Sequence, residues 1–307
     1  MDEGRTMLLV GATGFVGSHL LAAARAAGFR VIPAGRDSVP ACDLRDPIAV
    51  EDCIETVRPD LIVNVAGAAS VKESWERPEE VFALNATGVA NLLDAACRQV
   101  PAAHVLCVSS AEVYESGDGA SLLREDLELR PLTPYGKSKV AMEMLCARAH
   151  ERGRKVAVVR VFNLLGPGQR ADFAASGFAR QVAEAERAGD GGVELALGNP
   201  GATRDFTDVR DAARALLELS QRQLGGTYNL CSGVGVTIAE LVEGLSQASR
   251  LELTVRQDPD LERPADPSAL VGDPTRLRET IGFEPTIGLS RTLSDLLDWW
   301  RAELATA

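Results

Sequence analysis

Three glycines near the N-terminus constrain what this chain folds into more than any other feature of its sequence. The stretch from Gly11 to Gly17, GATGFVG, follows a short apolar run and opens a segment with helical spacing. Glycines in this pattern permit a tight turn, a close approach of backbone N–H groups to a phosphate, and close packing of a helix on its strand. The N-terminus of that helix adds the positive end of a dipole. We therefore predict a dinucleotide site whose pyrophosphate is bound by Gly11, Thr13, Gly14, Phe15, Val16 and Gly17.

Short apolar runs alternate with longer amphipathic segments through the first half of the 307 residues. This alternation is typical of parallel strands joined by crossover helices. We predict strands at 7–11, 30–34, 61–65, 104–109 and 155–161, and helices at 15–27, 47–57, 78–98 and 134–150. The predicted fold class is α/β, with a Rossmann-type doubly wound parallel sheet and a smaller C-terminal lobe that binds the substrate.

The pattern of the chain changes after residue 165, where Gly/Pro-rich connections separate shorter elements. We predict an NAD(P)-binding Rossmann domain over 1–165 and a substrate-binding lobe over 166–307. Part of the lobe, about 205–232, is expected to return to the sheet through a helix at 208–221 and a strand at 227–230. A helix predicted at 291–304 has apolar residues on one face, which indicates core packing.

Composition argues against several classes of protein. The net charge of -12 repels nucleic-acid backbones, and no basic stripe offsets it. The six cysteines show no CxxC spacing and the three histidines form no cluster, so we expect neither a disulfide framework nor a metal site. The N-terminus does not resemble a secretory signal, and no run approaches the roughly 18 apolar residues that span a bilayer. We expect a cytoplasmic protein with no nucleic-acid or membrane partner.

The end of the second predicted strand bears on the choice of cofactor. NAD-selective folds place a carboxylate there to accept hydrogen bonds from the ribose hydroxyls. This chain has Arg36, whose guanidinium suits the 2′-phosphate of NADP. We predict a preference for NADP(H), with NAD(H) possible, because Arg36 beside Asp37 can also be read as a solvated surface arginine. Later turns are predicted to add to the cofactor site Asp43, Leu44, Ala66, Gly67 and Ala68.

A candidate catalytic pair lies on the helix predicted at 134–150. Tyr135 and Lys139 are four residues apart, on one helix face, and Ser110 stands at the end of a predicted strand, where open α/β sheets bind ligands. Lowering a tyrosine pKa from about 10 to about 7 takes about 4 kcal/mol, which an ammonium at about 4.5 Å supplies at an effective dielectric of about 20. We predict that Tyr135 exchanges a proton with a substrate oxygen that Ser110 orients. Lys139 is expected to lower the pKa of Tyr135 and to hold the nicotinamide ribose; the alternative is an ordinary exposed pair on a helix.

These motifs resemble those of the extended short-chain dehydrogenases/reductases, which share a GxxGxxG turn, a Ser or Thr, and a YxxxK pair. The resemblance covers nearly the whole chain. Four further segments are similar to the nucleotide-sugar branch of that family: 70–75 (SVKESW), 162–169 (FNLLGPGQ), 204–211 (RDFTDVRD) and 228–233 (YNLCSG). Within the branch they are most similar to reductases of GDP-4-keto-6-deoxy-D-mannose, with GDP-mannose 4,6-dehydratases as near relatives.

The resemblance implies that a hydride passes from NAD(P)H to carbon 4 of a nucleotide-linked 4-keto-6-deoxy sugar, expected to be GDP-linked, and that Tyr135 donates a proton. It implies a substrate site that includes Ser70, Lys72, Ser110, Asn163, Arg204 and Arg263. Guanidinium groups suit phosphate oxygens, although Arg204 and Arg263 can instead be structural ion-pair partners of Asp205 and Asp266. The resemblance also implies a homodimer, formed through the helices that begin at Pro78 and Pro134.

One departure from the family pattern separates the chemistries of this branch. Dehydratases usually follow their Thr with Asp-Glu or Ser-Glu, which move protons at carbons 5 and 6, whereas this chain has Ala111 and Glu112 after Ser110. Glu112 is kept as a candidate catalytic residue, either a base or a structural carboxylate. Epimerases usually retain NAD tightly and have an acidic residue where Arg36 stands. The sequence favours a reductase, with a 4-epimerase or 4,6-dehydratase as the alternative and a non-catalytic NADP-sensing protein as a remote one.

Overall fold

The structure, a computed structural model, describes residues 4–115, 121–261 and 268–306. The first half contains β1 (Thr6–Val10), α1 (Phe15–Ala26), β2 (Arg30–Ala34), α2 (Pro47–Val57), β3 (Leu61–Asn64), α3 (Val71–Glu76), α4 (Pro78–Phe82), α5 (Gly88–Gln99), β4 (His104–Ser110), α6 (Pro134–Glu151) and β5 (Val156–Val161). The second half contains β6 (Asn163–Leu165), α7 (Ala174–Ala188), β7 (Gly192–Leu197), β8 (Thr203–Asp208), α8 (Val209–Gln221), β9 (Gly226–Leu230), β10 (Gly235–Thr237), α9 (Ile238–Ala248), β11 (Glu252–Gln257), β12 (Ala269–Leu270), α10 (Thr275–Ile281) and α11 (Leu289–Thr306).

Within the described ranges, six strands form a parallel sheet in the order β2-β1-β3-β4-β5-β9. This confirms the predicted fold class. The strand order reverses at β1, since β2 lies on one side of it and β3 on the other, and such a reversal opens a crevice at the carboxyl ends of the strands. The strand predicted at 227–230 is observed as β9, at one edge of this sheet. The division into domains at residue 165 stays a prediction.

Both faces of the sheet are covered by helices. Met7 and Leu9 on β1 are buried on the side of α1 and α8, whereas Leu8 and Val10 are buried on the side of α2, α5 and α6. Because side chains alternate along a strand, a parallel strand covered on both faces must be apolar at every position. The apolar runs seen in the sequence have this cause.

A second group of elements surrounds β8. This strand pairs in parallel with β6 and β12 and antiparallel with β10, while β7 pairs in parallel with β11. The helices α7, α9 and α11 share a separate apolar core. In α11, Leu293, Leu296 and Leu297 are buried in that core and Trp300 packs against it, which confirms core packing for the terminal helix. Among the described residues, no helix is long and apolar enough to cross a membrane.

The helix predicted at 78–98 is not one regular helix. The chain runs from α4 into a π-helical turn, Ala83–Thr87, and then into α5. At this turn Asn85 is buried and bonded to neighbouring elements, and a Cβ on Gly88 would lie only 2.8 Å from the Cβ of Leu44. The turn lets one polar side chain face inward while the helix stays packed on the core, and such turns are frequent at functional sites.

Candidate active site

The crevice between β1 and β3 is bounded by glycines that have no room for a side chain. At Gly11, φ is +87° and a Cβ would lie 2.7 Å from the backbone N of Ala66; at Gly17, a Cβ would overlap the carbonyl oxygen of Gly11. The first turn of α1 has no side-chain cap on Gly14 and no acidic residue, and Thr13 and Gly14 are exposed. The N-terminus of α1 therefore fits a pyrophosphate, because its N–H groups and dipole meet solvent without a competing carboxylate.

Charged side chains of both signs follow β2. Arg36 is exposed, and Arg45 holds the Asp43 carboxylate at 2.7 Å. The hydrogen bonds from Arg45, together with the nearby charge of Arg36, lower the pKa of Asp43. Leu44, placed near the adenine by the sequence, has a buried side chain packed against Gly88, which leaves its backbone rather than its side chain for any contact with a cofactor.

The turn after β3 lies between the phosphate-binding turn, Gly11 to Gly17, and α6, the helix that carries Tyr135 and Lys139; we call Gly11 to Gly17 the glycine cradle. Ala66 packs against Gly11, and a Cβ on Gly67 would lie 2.9 Å from Oδ1 of Asn85 and 3.3 Å from Nζ of Lys139. The backbone of Ala66 to Ala68 therefore passes within contact distance of both the phosphate-binding turn and the lysine. A ligand bound in this crevice would contact both the phosphate-binding turn and the residues around Lys139.

Asn85, which the sequence reasoning missed, connects this turn to α6. Its Oδ1 accepts a hydrogen bond from the Ala68 N–H (2.9 Å), and its Nδ2 donates to the Ala68 carbonyl (3.1 Å) and to Oγ of Ser138 (3.0 Å). Ser138 lies between Tyr135 and Lys139 on the helix. The one available sequence signal was an asparagine, a poor helix former, in the middle of an apolar helical segment.

Tyr135 lies in the first turn of α6 because of how that helix begins. Oγ1 of Thr133 accepts a hydrogen bond from the Gly136 N–H at 3.0 Å, and Pro134 occupies the first helical position. Gly136 has no room for a side chain against the carbonyl of Glu112, so the helix starts directly beside the end of β4. The result is a tyrosine that is 7% exposed, next to Ser110, which is 8% exposed.

The structure corrects the expected electrostatics of Tyr135. Burial raises the pKa of Tyr135 to about 12; a hydrogen bond with Ser110 opposes this rise and the negative charge of Glu112 adds to it. The sequence predicted that Lys139 lowers this pKa. Instead, Nζ of Lys139 donates to the Val108 carbonyl at 2.9 Å and lies 5.8 Å from the centre of the Tyr135 ring, so burial dominates. The phenol is held in its protonated form.

Lys139 is itself buried, with 5% of its surface exposed. Burial lowers the pKa of Lys139 to about 8, and the charge of Glu143 one turn further along α6 opposes the change. At neutral pH the side chain is therefore an ammonium. The pair is not the exposed surface pair that was the alternative interpretation, because both side chains are enclosed.

The loop that follows β6 closes over the start of α1. Nε2 of His19 and the Pro167 carbonyl are 2.9 Å apart, which requires that Nε2 donate. The ring of Phe15 stands edge-on to His19, with centroids 6.0 Å apart, and a Cβ on Gly168 would lie 4.0 Å from Phe15. This contact brings the second half of the chain to the phosphate-binding turn, and the sequence reasoning did not identify it.

The candidate substrate residues occupy different environments. Ser70 caps α3, where its Oγ accepts from the Glu73 N–H at 3.2 Å, and Lys72 in the same helix is exposed. Asn163 is exposed at the start of β6, beside β8. Glu112 is partly buried and lies close enough to raise the pKa of Tyr135.

Arg204 lies on β8 and is 9% exposed, with Nη1 bonded to the Thr203 carbonyl at 2.9 Å. The Asp205 carboxylate accepts hydrogen bonds from Ser232 and from the backbone of Gly233 and Gly272. Its contacts are therefore accounted for by the loops around it, which argues against the alternative of an Arg204–Asp205 ion pair. Arg263 and Asp266 lie outside the described residues.

A glycine cradle at the reversal point of a parallel sheet, with a buried tyrosine and lysine beside it, defines a dinucleotide-binding protein of the short-chain dehydrogenase/reductase class. The sequence profile of the NAD dependent epimerase/dehydratase family matches residues 7–231. The chain belongs to this family.

Named relatives cover almost the full chain. It is 34% identical to GDP-6-deoxy-D-mannose reductase of Pseudomonas aeruginosa, over 97% of this chain and 98% of that protein. Among solved structures, RMD from Pseudomonas aeruginosa complexed with NADPH is 32% identical with a TM-score of 0.87, over 97% of this chain and 99% of the other. UDP-glucose 4-epimerase of Thermus thermophilus in complex with NAD is 29% identical with a TM-score of 0.85, over the same shares. The resemblance inferred from the motifs is thereby confirmed.

Proposed function

We propose that this chain is an NADPH-dependent reductase of the 4-keto group of a nucleotide-linked 4-keto-6-deoxy sugar, with GDP-4-keto-6-deoxy-D-mannose as substrate. The observation that carries the proposal is the position of Tyr135, 7% exposed, beside Ser110, 8% exposed, because a ketone that receives a hydride must also receive a proton. The GDP-linked substrate is supported by the name of the Pseudomonas relative, which matches over nearly the full length of both chains.

In the proposed reaction, NADPH when bound supplies the hydride. The Ser110 hydroxyl and the Tyr135 phenol hydrogen-bond the keto oxygen, and Tyr135 transfers its proton to that oxygen as negative charge develops there. Burial raises the pKa of Tyr135, so the phenol carries its proton at neutral pH before the reaction. Lys139, an ammonium at neutral pH, holds the nicotinamide ribose. We propose that Glu112, which is partly buried and whose charge acts on Tyr135, returns a proton to the site from solvent.

We assign the substrate contacts from the negative charge of the diphosphate and from the exposure of the candidate residues. We assign the diphosphate and the adjoining sugar to Asn163, Arg204 and Arg263, and the reacting end of the sugar to Ser70, Lys72 and Ser110. Planar guanidinium groups match phosphate oxygens with paired hydrogen bonds. Exposure of Lys72 and Asn163 supports their availability to a ligand.

Arg36→Ala is expected to weaken NADPH binding about 10- to 100-fold and to leave NADH binding within about twofold. A charge-assisted hydrogen bond to a phosphate contributes about 1.5–3 kcal/mol, and only NADPH carries the 2′-phosphate. Dissociation constants for both cofactors, measured by quenching of tryptophan fluorescence, check this. Arg30→Ala is the matched control, since Arg30 is an exposed arginine at the opposite end of β2. Equal losses of affinity for NADPH and NADH would mean that Arg36 attracts the phosphates common to both cofactors and does not contact the 2′-phosphate.

The reaction type is tested by cofactor stoichiometry. Purified protein, NADPH and the keto sugar are incubated together, and a reductase consumes one NADPH for each sugar converted. A 4-epimerase or a 4,6-dehydratase leaves the cofactor unchanged in net terms, and a non-catalytic sensor binds NADPH without converting sugar.

A parallel thermal-shift series with GDP, UDP, dTDP and CDP identifies the nucleotide of the substrate, since a ligand at 100 times its Kd stabilises the protein by about 2.7 kcal/mol. Absence of both turnover and a GDP shift would reject the proposal.

We also propose a homodimer and a cytoplasmic location. Two large apolar side chains face solvent on the helices assigned to pairing: Phe82 on α4 is 46% exposed and Met144 on α6 is 68% exposed. All six cysteines are free and five are buried, as expected for a protein of a reducing compartment. Among the described residues, no group of three or more His, Cys, Asp and Glu is arranged to bind a metal.

A further inference from the structure

A buried ion pair lies directly behind the catalytic pair. Nη2 of Arg160 on β5 and Oε2 of Glu143 on α6 are 2.7 Å apart, with the two side chains only 6% and 8% exposed. Nε of Arg160 also donates to the carboxylate, at 3.0 Å, and its Nη1 donates to the hydroxyl of Tyr114 at 2.8 Å. Glu143 is one helical turn beyond Lys139, so both side chains lie on the same face of α6.

Glu143 also reaches the strand that carries Ser110. The hydroxyl of Ser109, which is fully buried, donates to Oε1 of Glu143 at 2.5 Å. One residue earlier, the Val108 carbonyl accepts a hydrogen bond from Nζ of Lys139 at 2.9 Å. The last residues of β4 are therefore attached to α6 at two successive points, through Lys139 and through Glu143.

This arrangement is a costly way to stabilise a fold. A buried ion pair seldom stabilises a protein more than apolar residues of the same volume would, because two charges must leave water. The apolar residues of α6, Met142 and Cys146, already hold the helix against the sheet. What the ion pair adds is a carboxylate with a fixed position, to which Ser109 is bonded.

Ser109 and Ser110 are consecutive residues at the end of β4, where the backbone pairs with Arg160 and Val161 of β5. Successive side chains of a strand point to opposite faces, so the bond between Ser109 and Glu143 fixes the twist of this strand end and with it the direction of the Ser110 side chain. We propose that Glu143 and Ser109 are positioning residues: the carboxylate, anchored by Arg160, holds the end of β4 where Ser110 and Lys139 both meet Tyr135. This inference rests on the proposed reductase function.

Ser109→Ala is the direct test, because it removes the hydroxyl and leaves the ion pair intact. We expect kcat to fall about 10- to 100-fold, the range produced by a displacement of about 1 Å in a catalytic group. The Kd for NADPH should stay within about threefold, since the glycine cradle is untouched. Ser220→Ala is the matched control: Ser220 is also fully buried and donates one hydrogen bond, to the Leu216 carbonyl, in α8 on the other face of the sheet.

Glu143→Gln is the second variant, in which an amide oxygen can still accept from Ser109 and Arg160 while the negative charge is lost. We expect kcat near neutral pH to fall less than in Ser109→Ala, and the alkaline limb of the pH profile to move to lower pH. The limb moves in that direction because the Glu143 charge favours the ammonium of Lys139. Among the described residues, Tyr135, Cys107 and Cys146 also face Lys139, and both variants keep them.

The outcomes separate the two proposals. Wild-type protein that does not reduce the keto sugar overturns the proposed function before any variant is compared. Active wild type with an unchanged kcat in Ser109→Ala overturns the positioning role, and so does an equal loss in Ser220→Ala. Should Ser109→Ala not fold, Ser109→Cys replaces it, since a thiol is a weak donor of similar shape, and the same fall in kcat at unchanged NADPH affinity is required.

Discussion

Tyr135→Phe is expected to lower kcat about 1,000-fold while the Kd for NADPH stays within about twofold. The phenol supplies the proton in the proposed reaction, and general acids contribute about 10²- to 10⁴-fold. The ring that fills the space beside Ser110 is kept, so the packing of α6 is unchanged. Initial rates with the keto sugar, together with cofactor binding followed by fluorescence, measure the two quantities separately.

Tyr228→Phe is the control for this experiment. Tyr228 is equally buried, at 7% exposure, and its hydroxyl donates to the Gly225 carbonyl at 2.9 Å, on β9 at the edge of the sheet. Its loss removes one hydrogen bond of a buried tyrosine, worth about 1 kcal/mol of stability, without touching the site. A Tyr135→Phe enzyme that keeps more than a tenth of the wild-type kcat would exclude the phenol as the proton donor.

Gly11→Ala is expected to abolish tight NADPH binding, with a loss of affinity of about 100-fold or more, and to lower the free energy of unfolding by about 2–5 kcal/mol. The new Cβ would lie 2.7 Å from the backbone N of Ala66, so β1 and the turn after β3 must separate. Left-handed backbone costs about 1–2 kcal/mol for a residue with a side chain, and overpacking adds about 1–3 kcal/mol. Urea denaturation and fluorescence titration with NADPH measure the two effects.

Gly28→Ala isolates the steric part of this prediction. Gly28 has φ of +88°, almost the same as Gly11, but a Cβ added there would have no atom within 4 Å. The backbone strain is therefore matched, and the expected loss is about 1–2 kcal/mol of stability with NADPH affinity unchanged. Equal behaviour of the two variants would mean that the close approach to Ala66 has no part in cofactor binding.

The sheet and the position of the site were predictable because they depend on periodicity and on order along the chain. Alternating apolar strands and amphipathic helices specify a parallel sheet, and in such a sheet the turns after β1, β2, β3 and β4 all meet at one edge. Gly11, Arg36 and Gly67 follow the first three of these strands and Ser110 ends the fourth, so their placement at one end of the sheet needed no coordinates. The i, i+4 spacing likewise placed Tyr135 and Lys139 on one helix face.

Other features could not be predicted from the sequence because they depend on contacts between distant segments. Asn85 acquires its importance from Ala68 and Ser138, and the π turn that carries it has no strong local signal. The His19 contact to Pro167 joins residues 148 positions apart. Nothing in the local sequence distinguishes Ser109 or Glu143, and the proposed role of both depends on Arg160, which pairs with Glu143 only in the folded protein.

The electrostatics of the site show the same division. Residue type and spacing were enough to single out Tyr135, Lys139 and Ser110 as candidates, since these are properties of a linear pattern. The pKa of Tyr135 was predicted in the wrong direction, because it depends on how completely the surrounding protein excludes water and on which atom the ammonium of Lys139 contacts. The burial of a side chain and its distance from a charge depend on packing, to which residues from every part of the chain contribute. Neither quantity can therefore be predicted from a local stretch of sequence.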